Sequence, residues 1–315
     1  MGRRPRPKAV VHDGVLVVDK PAGPTSHDVV DVVRRAVGHT RVGHTGTLDP
    51  AATGVLVLCV GRATKLVRFL QAGRKTYAAT VRLGIETTSQ DADGEVIAQV
   101  DASHLDERTV CDALMRFQGT LEQIPPMVSA VKVDGQRLHE RARRGEEVER
   151  EPRRIEVDSV VLDGFVPGEV AELSFLVTCS AGTYVRTIAH DLGALLGVGG
   201  SLSGLRRLAN GPFVSDEAVD LAAVDAAGQA GTTRELLLDP AAAIRRALPA
   251  VEVEDPDLLW RLTQGGKLPA QGHDGPYAAL TTTTDGTERL VGIYLDRPNG
   301  QAAAELVWTR PEELS

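Results

Sequence analysis

Apolar and polar positions alternate differently in different parts of this chain, and the differences sketch a fold. The stretch "GVLVLCVG" (54–61) has no polar break and reads as a buried strand, and "GVLVVDKPAG" (14–23) reads as a strand closed by a Pro/Gly turn. In "KTYAATVRLG" (75–84) the apolar residues fall on every second position, so Tyr77, Ala79, Val81 and Leu83 are expected on one face of a strand. Helical spacing replaces this in "TSHDVVDVVRRAVG" (25–38), where Thr25 or Ser26 can cap the start, apolar residues recur at 29, 30, 33, 36 and 37, and Gly38 stops the run. Further helices are predicted at 63–70, 106–118, 216–227 and 234–248, strands at 155–162 and 169–179, and a passage from strand end to helix over 182–197. The order of elements gives an α+β organisation without internal repeats.

Two regions depart from this core pattern. "QIPPMVSAVKVDGQRLHERARRGEEVEREPRR" (123–154) opens on Pro-Pro and becomes highly charged with almost no apolar stripe, which marks an excursion from the core. After residue 212 the composition shifts to Ala, Asp and Glu, and "LPAVEVEDPD" (248–257) reads as a linker into a short tail whose glycines punctuate brief strands, a pattern compatible with a small barrel.

Composition adds constraints. With 315 residues and 3% aromatics, the core has to be built from Val, Leu and Ala. Cys59, Cys111 and Cys179 are odd in number, far apart and within apolar runs, so they read as reduced core residues of a cytoplasmic protein. No run approaches 18 apolar residues and the basic start "MGRRPRPKAV" lacks the apolar stretch of a signal peptide; neither membrane nor secretion is indicated. The net charge of −8 is unevenly spread: residues 1–80 hold 13 Lys and Arg against 5 Asp and Glu, whereas 216–257 hold 3 against 10. Such asymmetry points to a polyanion-binding face on an acidic molecule.

The chemistry concentrates in "GHTGTLDPAATG" (43–54), where a single carboxylate, Asp49, sits among glycines and threonines. A surface turn has the same composition, and from this loop alone that reading is the stronger. The eight histidines show no metal-ligand spacing, so no metal is expected. No phosphate-binding Gly-rich motif is present, since no Lys-Ser/Thr follows these glycines and no strand is expected to run directly into them. A G-x-S-x-G elbow is also missing. What remains is a carboxylate on a Gly-rich loop, a strand tyrosine, an arginine beside another tyrosine, and basic surface.

Five stretches, "GVLVVDKPAGPTSHDVV", "RVGHTGTLDPAATGVLVLCVGRATKL", "KTYAATVRLGIETTSQDADGEV", "QIPPMVSAVKVDGQRLHERARRG" and "CSAGTYVRTIAHDLG", together resemble the bacterial TruB-type pseudouridine synthases, which act on uridine 55 of tRNA. The similarity spans roughly residues 12–210 in one order. It implies a pseudouridine-synthase fold with a mixed, largely antiparallel central sheet flanked by helices. A basic arm (1–11) would precede a catalytic domain (12–248) carrying an inserted thumb (about 123–154), and a small β-rich PUA-like domain (249–315) would follow. The resemblance also implies that Asp49 is the catalytic aspartate, that Tyr77 stacks on the target base and that Arg186 pairs with Asp49. His44, Tyr184, Leu205, Lys20, Arg141 and Arg144 would contact the substrate. The partner would be the tRNA T stem-loop, bound by a monomer without cofactor.

Chemistry agrees with those roles. Uridine becomes pseudouridine when the base leaves C1′ through N1 and returns through C5, so a carboxylate must act as nucleophile, a cation must hold it, and an aromatic face must trap the freed base. Arg186 is expected to grip Asp49 with a bidentate fork that keeps it anionic. A chaperone using the same surfaces without chemistry, or as an addition to it, and an Asp-His hydrolase acting on a small polar substrate are the alternatives.

Overall fold

The computed structural model describes residues 12–127 and 148–313, with the backbone of 132–133 and 136–137. The expected N-terminal arm and most of the thumb, including Arg141 and Arg144, lie outside the described residues. In chain order the strands of the first part are β1 (Gly14–Lys20), β2 (Val42–His44), β3 (Thr53–Val60), β4 (Lys75–Leu83), β5 (Ile85–Thr87), β6 (Val96–Gln99), β7 (Gly119–Gln123), β8 (Lys132–Val133), β9 (Gln136–Arg137), β10 (Arg153–Val166), β11 (Ala171–Cys179), β12 (Gly200–Asn210), β13 (Phe213–Val214) and β14 (Val219–Asp220). The helices are α1 (Ser26–Val37), α2 (Val67–Leu70), α3 (Glu107–Met115), α4 (Val185–Leu195), α5 (Leu221–Ala230), α6 (Pro240–Ala247) and α7 (Pro256–Thr263).

One sheet organises the molecule, in the order β14-β1-β3-β12-β4-β11-β10-β7, with β2 on β3 and β13 on β12. Only β1 with β14 and β3 with β12 run parallel within it. The unbroken apolar runs of β1 and β3 follow from cover on both faces. Leu16, Val18, Leu56 and Leu58 pack under α1, while Val15, Val17, Val55 and Val57 face the opposite way. There they meet Ala278, Leu280 and Ile293 of a second, five-stranded sheet made from β15 (Ala250–Glu252), β16 (Leu268–Pro269), β17 (Tyr277–Thr282), β18 (Glu288–Asp296) and β19 (Gln301–Val307). In β4 one face alone is deeply buried; Tyr77, Ala79, Val81 and Leu83 join the core beneath α3 and α4. Helix α1 starts as its sequence reads: Thr25 accepts from the Asp28 amide, Asp28 accepts from that of Thr25, and Gly38 closes the helix in the left-handed region at φ 66°.

Several elements differ from the sequence reading. Segment 63–70 begins as a 3-10 turn over Gly61–Leu66 before the short α2. The helices expected at 216–227 and 234–248 shrink to α5 and α6, because Asp220 and Pro240 with Asp239 set later starts. The linker at 248–257 contains β15, which pairs with β17. A short strand, β2, does lead into the 43–54 loop, its residues paired to the Val60 end of β3. Strand β12 was not anticipated at all, since "SLSGLRRLAN" shows no clean alternation.

Candidate active site

The 43–54 loop connects β2 to β3, and it is held by side chains from three distant elements. The parallel contact of β3 with β12 is confined to Thr53 opposite Arg206 and Gly54 opposite Arg207. Gly54 has φ +100°, and a Cβ there would stand 2.2 Å from the Arg207 carbonyl oxygen, so neither its conformation nor the strand approach tolerates a side chain. Arg207 is fully buried and donates from Nε to the Val55 carbonyl (2.6 Å), from Nη2 to Gly46 (3.0 Å) and from Nη1 to Thr47 (3.4 Å). From the end of β1, Lys20 donates to the carbonyls of Pro21, Pro50 and Ala52 at 2.9, 3.0 and 2.7 Å. The Ser26 hydroxyl of α1 donates to the Leu48 carbonyl and accepts from the Leu48 amide, and Asn210 donates to Thr45 Oγ1. Backbone carbonyls turned inward need such donors, and buried cations supply them strongly.

This fixes Asp49 at a pocket of about 260 Å³ whose wall also includes Tyr77, Tyr184, Arg186, Leu202 and Leu205. Arg186 lies in the first turn of α4, its side chain only 6% exposed; Nη2 is 3.5 Å from Asp49 Oδ2 and Nη1 donates to Asp91 Oδ2 at 3.1 Å. The fork is therefore divided between two carboxylates instead of closing on Asp49. Asp91 is itself fixed by the Ser89 hydroxyl and the Asp93 amide, on a loop tied to α4 by Thr187 Oγ1 donating to Gln90 Oε1. Asp49 keeps 44% of its side chain open to water, yet burial raises its pKa, Asp91 and Asp93 add to that, and Arg186 offsets only part. Arg186 is the chief influence favouring the Asp49 anion, set against burial and the two neighbouring acids.

Tyr77, 7% exposed, faces the pocket, its hydroxyl beside Arg207; burial raises its pKa. Tyr184 caps α4, and its ring lies 5.9 Å from the Arg186 guanidinium carbon. Its main chain is gripped by Gln123 at the end of β7, which donates to the Tyr184 carbonyl and accepts from its amide. His44 stands outside the pocket wall, against the ring of His27 at 5.9 Å; its Nδ1 accepts from the Gly46 amide, and burial lowers its pKa. Lys20, expected at the substrate, is instead buried beneath the loop with its ammonium protons spent on carbonyls. Arg207, Asp91 and Gln123, which hold the loop and side chains of this site, are not singled out by the sequence; the quoted motifs contain two of them, but nothing in their spacing separates them from turn and strand residues. Among the described residues no group of His, Cys, Asp and Glu is arranged to hold a metal, and no helix is long and apolar enough to cross a membrane.

An open mixed sheet with a carboxylate loop clamped at its parallel seam, facing an arginine and a tyrosine from other elements, is the architecture of a pseudouridine synthase. The model of the TruB family pseudouridylate synthase N-terminal domain matches residues 34–185, and that of the tRNA pseudouridylate synthase B C-terminal domain matches 186–252. The tRNA pseudouridine synthase B of Symbiobacterium thermophilum is 52% identical over 244 residues, covering 78% of this chain and 80% of that one. The protein of the same name from Rhodococcus jostii is 43% identical over 317 residues, covering 100% of both. Among solved structures, a chain of a Cbf5-Nop10-Gar1 complex superposes with a TM-score of 0.71 at 27% identity, covering 96% of this chain and 86% of its own. The chain belongs to the TruB family of pseudouridine synthases, and it is an isomerase.

Proposed function

We propose that this enzyme converts uridine to pseudouridine at position 55 in the T stem-loop of tRNA, flipping the target nucleotide into the pocket described above. The observation that carries the reading is the convergence of Asp49, Tyr77 and Arg186 from a loop, a strand and a helix onto one cavity of nucleotide dimensions. The naming of the relatives supports the tRNA substrate. Asp49 acts as the nucleophile. Its carboxylate bonds to C1′ as the C1′–N1 bond breaks with the electron pair leaving on the base, the base turns, and C5 bonds to C1′ as the bond to Asp49 breaks; the C5 proton is lost and N1 gains one, so the reaction is a net isomerisation. Tyr77 covers the base and excludes water while it is detached. Tyr184 and Leu205 border the base, and His44, beside the loop, lies near the displaced nucleotide. The basic thumb, with Arg141 and Arg144, contacts phosphates. No cofactor takes part.

The test uses tRNA tritiated at C5 of the target uridine, whose release counts turnovers. Asp49→Asn keeps shape and loses charge; release falls to background while tRNA affinity stays within about tenfold, or about 1.4 kcal/mol. Because Arg186 retains Asp91, the variant melts close to the parent. Appreciable release from folded Asp49→Asn would refute the assignment.

A further inference from the structure

The roles above leave one pocket cation idle. Lys75 opens β4 two residues before Tyr77, on the same face, and lines the same cavity while only 5% exposed. Its Nζ donates to the carbonyls of Gln71 at 3.0 Å and Gly73 at 3.1 Å. An ammonium has three N–H groups, so one is left without an acceptor among the described residues. The stem is held from above by the loop, since a Cβ on Gly46 would lie 3.5 Å from Lys75 Cε. The two neighbouring guanidinium groups are committed elsewhere: Arg186 to Asp49 and Asp91, Arg207 to three carbonyls. Among the described residues Lys75 has no carboxylate partner.

The proposed reaction creates a need for such a group. When C1′–N1 breaks, the electron pair leaves on uracil and spreads to its carbonyl oxygens, in a cavity that already holds the carboxylate of Asp49. A preorganised cation at the place where charge develops is the most effective form of catalysis available there. We propose that Lys75 is a catalytic residue, its remaining N–H meeting a carbonyl oxygen of the flipped uracil and stabilising the negative charge on the base while it is detached from C1′. The proton stays on the lysine throughout, and the charge is discharged when C5 bonds to C1′. This rests on the reading that the pocket isomerises uridine. Burial, reinforced by Arg207 and opposed by Cys179 on the adjacent strand, lowers the lysine to about 8, and Tyr77 is the other titratable group on its face of β4. Lys75 is therefore charged at neutral pH and loses its charge just above it.

Single-turnover tritium release from a T-arm hairpin, followed from pH 6.5 to 9.5, tests the proposal with Lys75→Met and Lys75→Arg. Lys75→Met slows the step about 10²-fold, with hairpin affinity within about threefold of the parent. The parent's alkaline decline near pH 8 is absent in Lys75→Met and shifts upward in Lys75→Arg. Lys20 is also lowered to about 8, so a decline that persists unchanged in both variants belongs to it and overturns the proposal. A hairpin with 5-fluorouridine at the target, whose base leaves as a more stable anion, has no C5 hydrogen and is followed by loss of the 5-fluorouridine nucleoside from digests; its single-turnover conversion narrows the gap between parent and Lys75→Met. A purely structural defect would slow both substrates equally and would likewise overturn it. Should Lys75→Met fail to fold, the shift in Lys75→Arg decides alone. A parent that releases no tritium would instead defeat the isomerase assignment for this pocket.

Discussion

Replacing Arg207 by methionine removes the guanidinium that secures the Asp49 loop while nearly preserving its volume. Two of its bonds, to Val55 and Gly46, are short, and the third, to Thr47, is weak at 3.4 Å. At roughly 1.5–3 kcal/mol for each charge-assisted bond, the two short ones amount to about 3–6 kcal/mol gross. Part of this returns, because the variant no longer buries a charge and because Gly46 and Thr47 border a pocket that water reaches. A net loss of about 2–4 kcal/mol follows, and at about 2–4 °C per kcal/mol for a chain of this size the melting temperature drops by about 4–16 °C. Activity suffers more, since displacing a reacting group by about 1 Å costs about 10²-fold. Lys75 and Tyr77 stay in place on β4, so the defect falls on the rate constant of tritium release and not on hairpin affinity. Arg207→Lys restores the charge but presents one nitrogen where three carbonyls are spread, and it recovers stability more than rate. An Arg207→Met protein that melts within 2 °C of the parent and turns over at the parental rate would refute the clamp.

Two further outcomes follow from the same geometry. Gly54→Ala places a methyl group 2.2 Å from a strand carbonyl at φ +100°, so the variant is recovered unfolded or melts far below the parent by circular dichroism. Asp91→Asn removes a charge that raises the Asp49 pKa, so the acid limb of the pH–rate profile moves to lower pH even as the rate falls; an acid limb that stays put or rises would show that Asp49 does not feel Asp91.

The parts of this protein that were legible from sequence are those whose reason is local. Thr25, Asp28 and Gly38 delimit α1 through contacts within a few residues, and the alternation of β4 placed Tyr77 on the correct face. Strand β12 is hidden because its alternation is broken by Arg206, whose partner is the distant Asp19 carboxylate, and by Arg207, whose partners are backbone carbonyls far earlier in the chain. The same holds for Lys20: the sequence suggests a lysine that shapes a strand end and the resemblance a substrate contact, but neither reveals the carbonyls of Pro50 and Ala52 that surround it. Asp91 sits in "SQDADG", a composition any turn has, and only the approach of α4 gives its carboxylate a function. The division of Arg186 between two acids was beyond reach for that reason.

The loop clamp also dictates when in the life of the chain chemistry becomes available. Lys20 and Ser26 can reach the 46–53 segment as soon as the first sixty residues have emerged, but Arg207 and Asn210 arrive only after β4, β10, β11 and α4 have been made. Contacts of such long sequence separation form late, after the loop-closure entropy has been met. A growing chain can therefore assemble much of the sheet around β1, β3 and α1 while the Asp49 loop is held only from the side of Lys20 and Ser26. Synthesis of β12 completes the clamp, so a chain stalled before it carries Asp49 on a loop tied from one side alone.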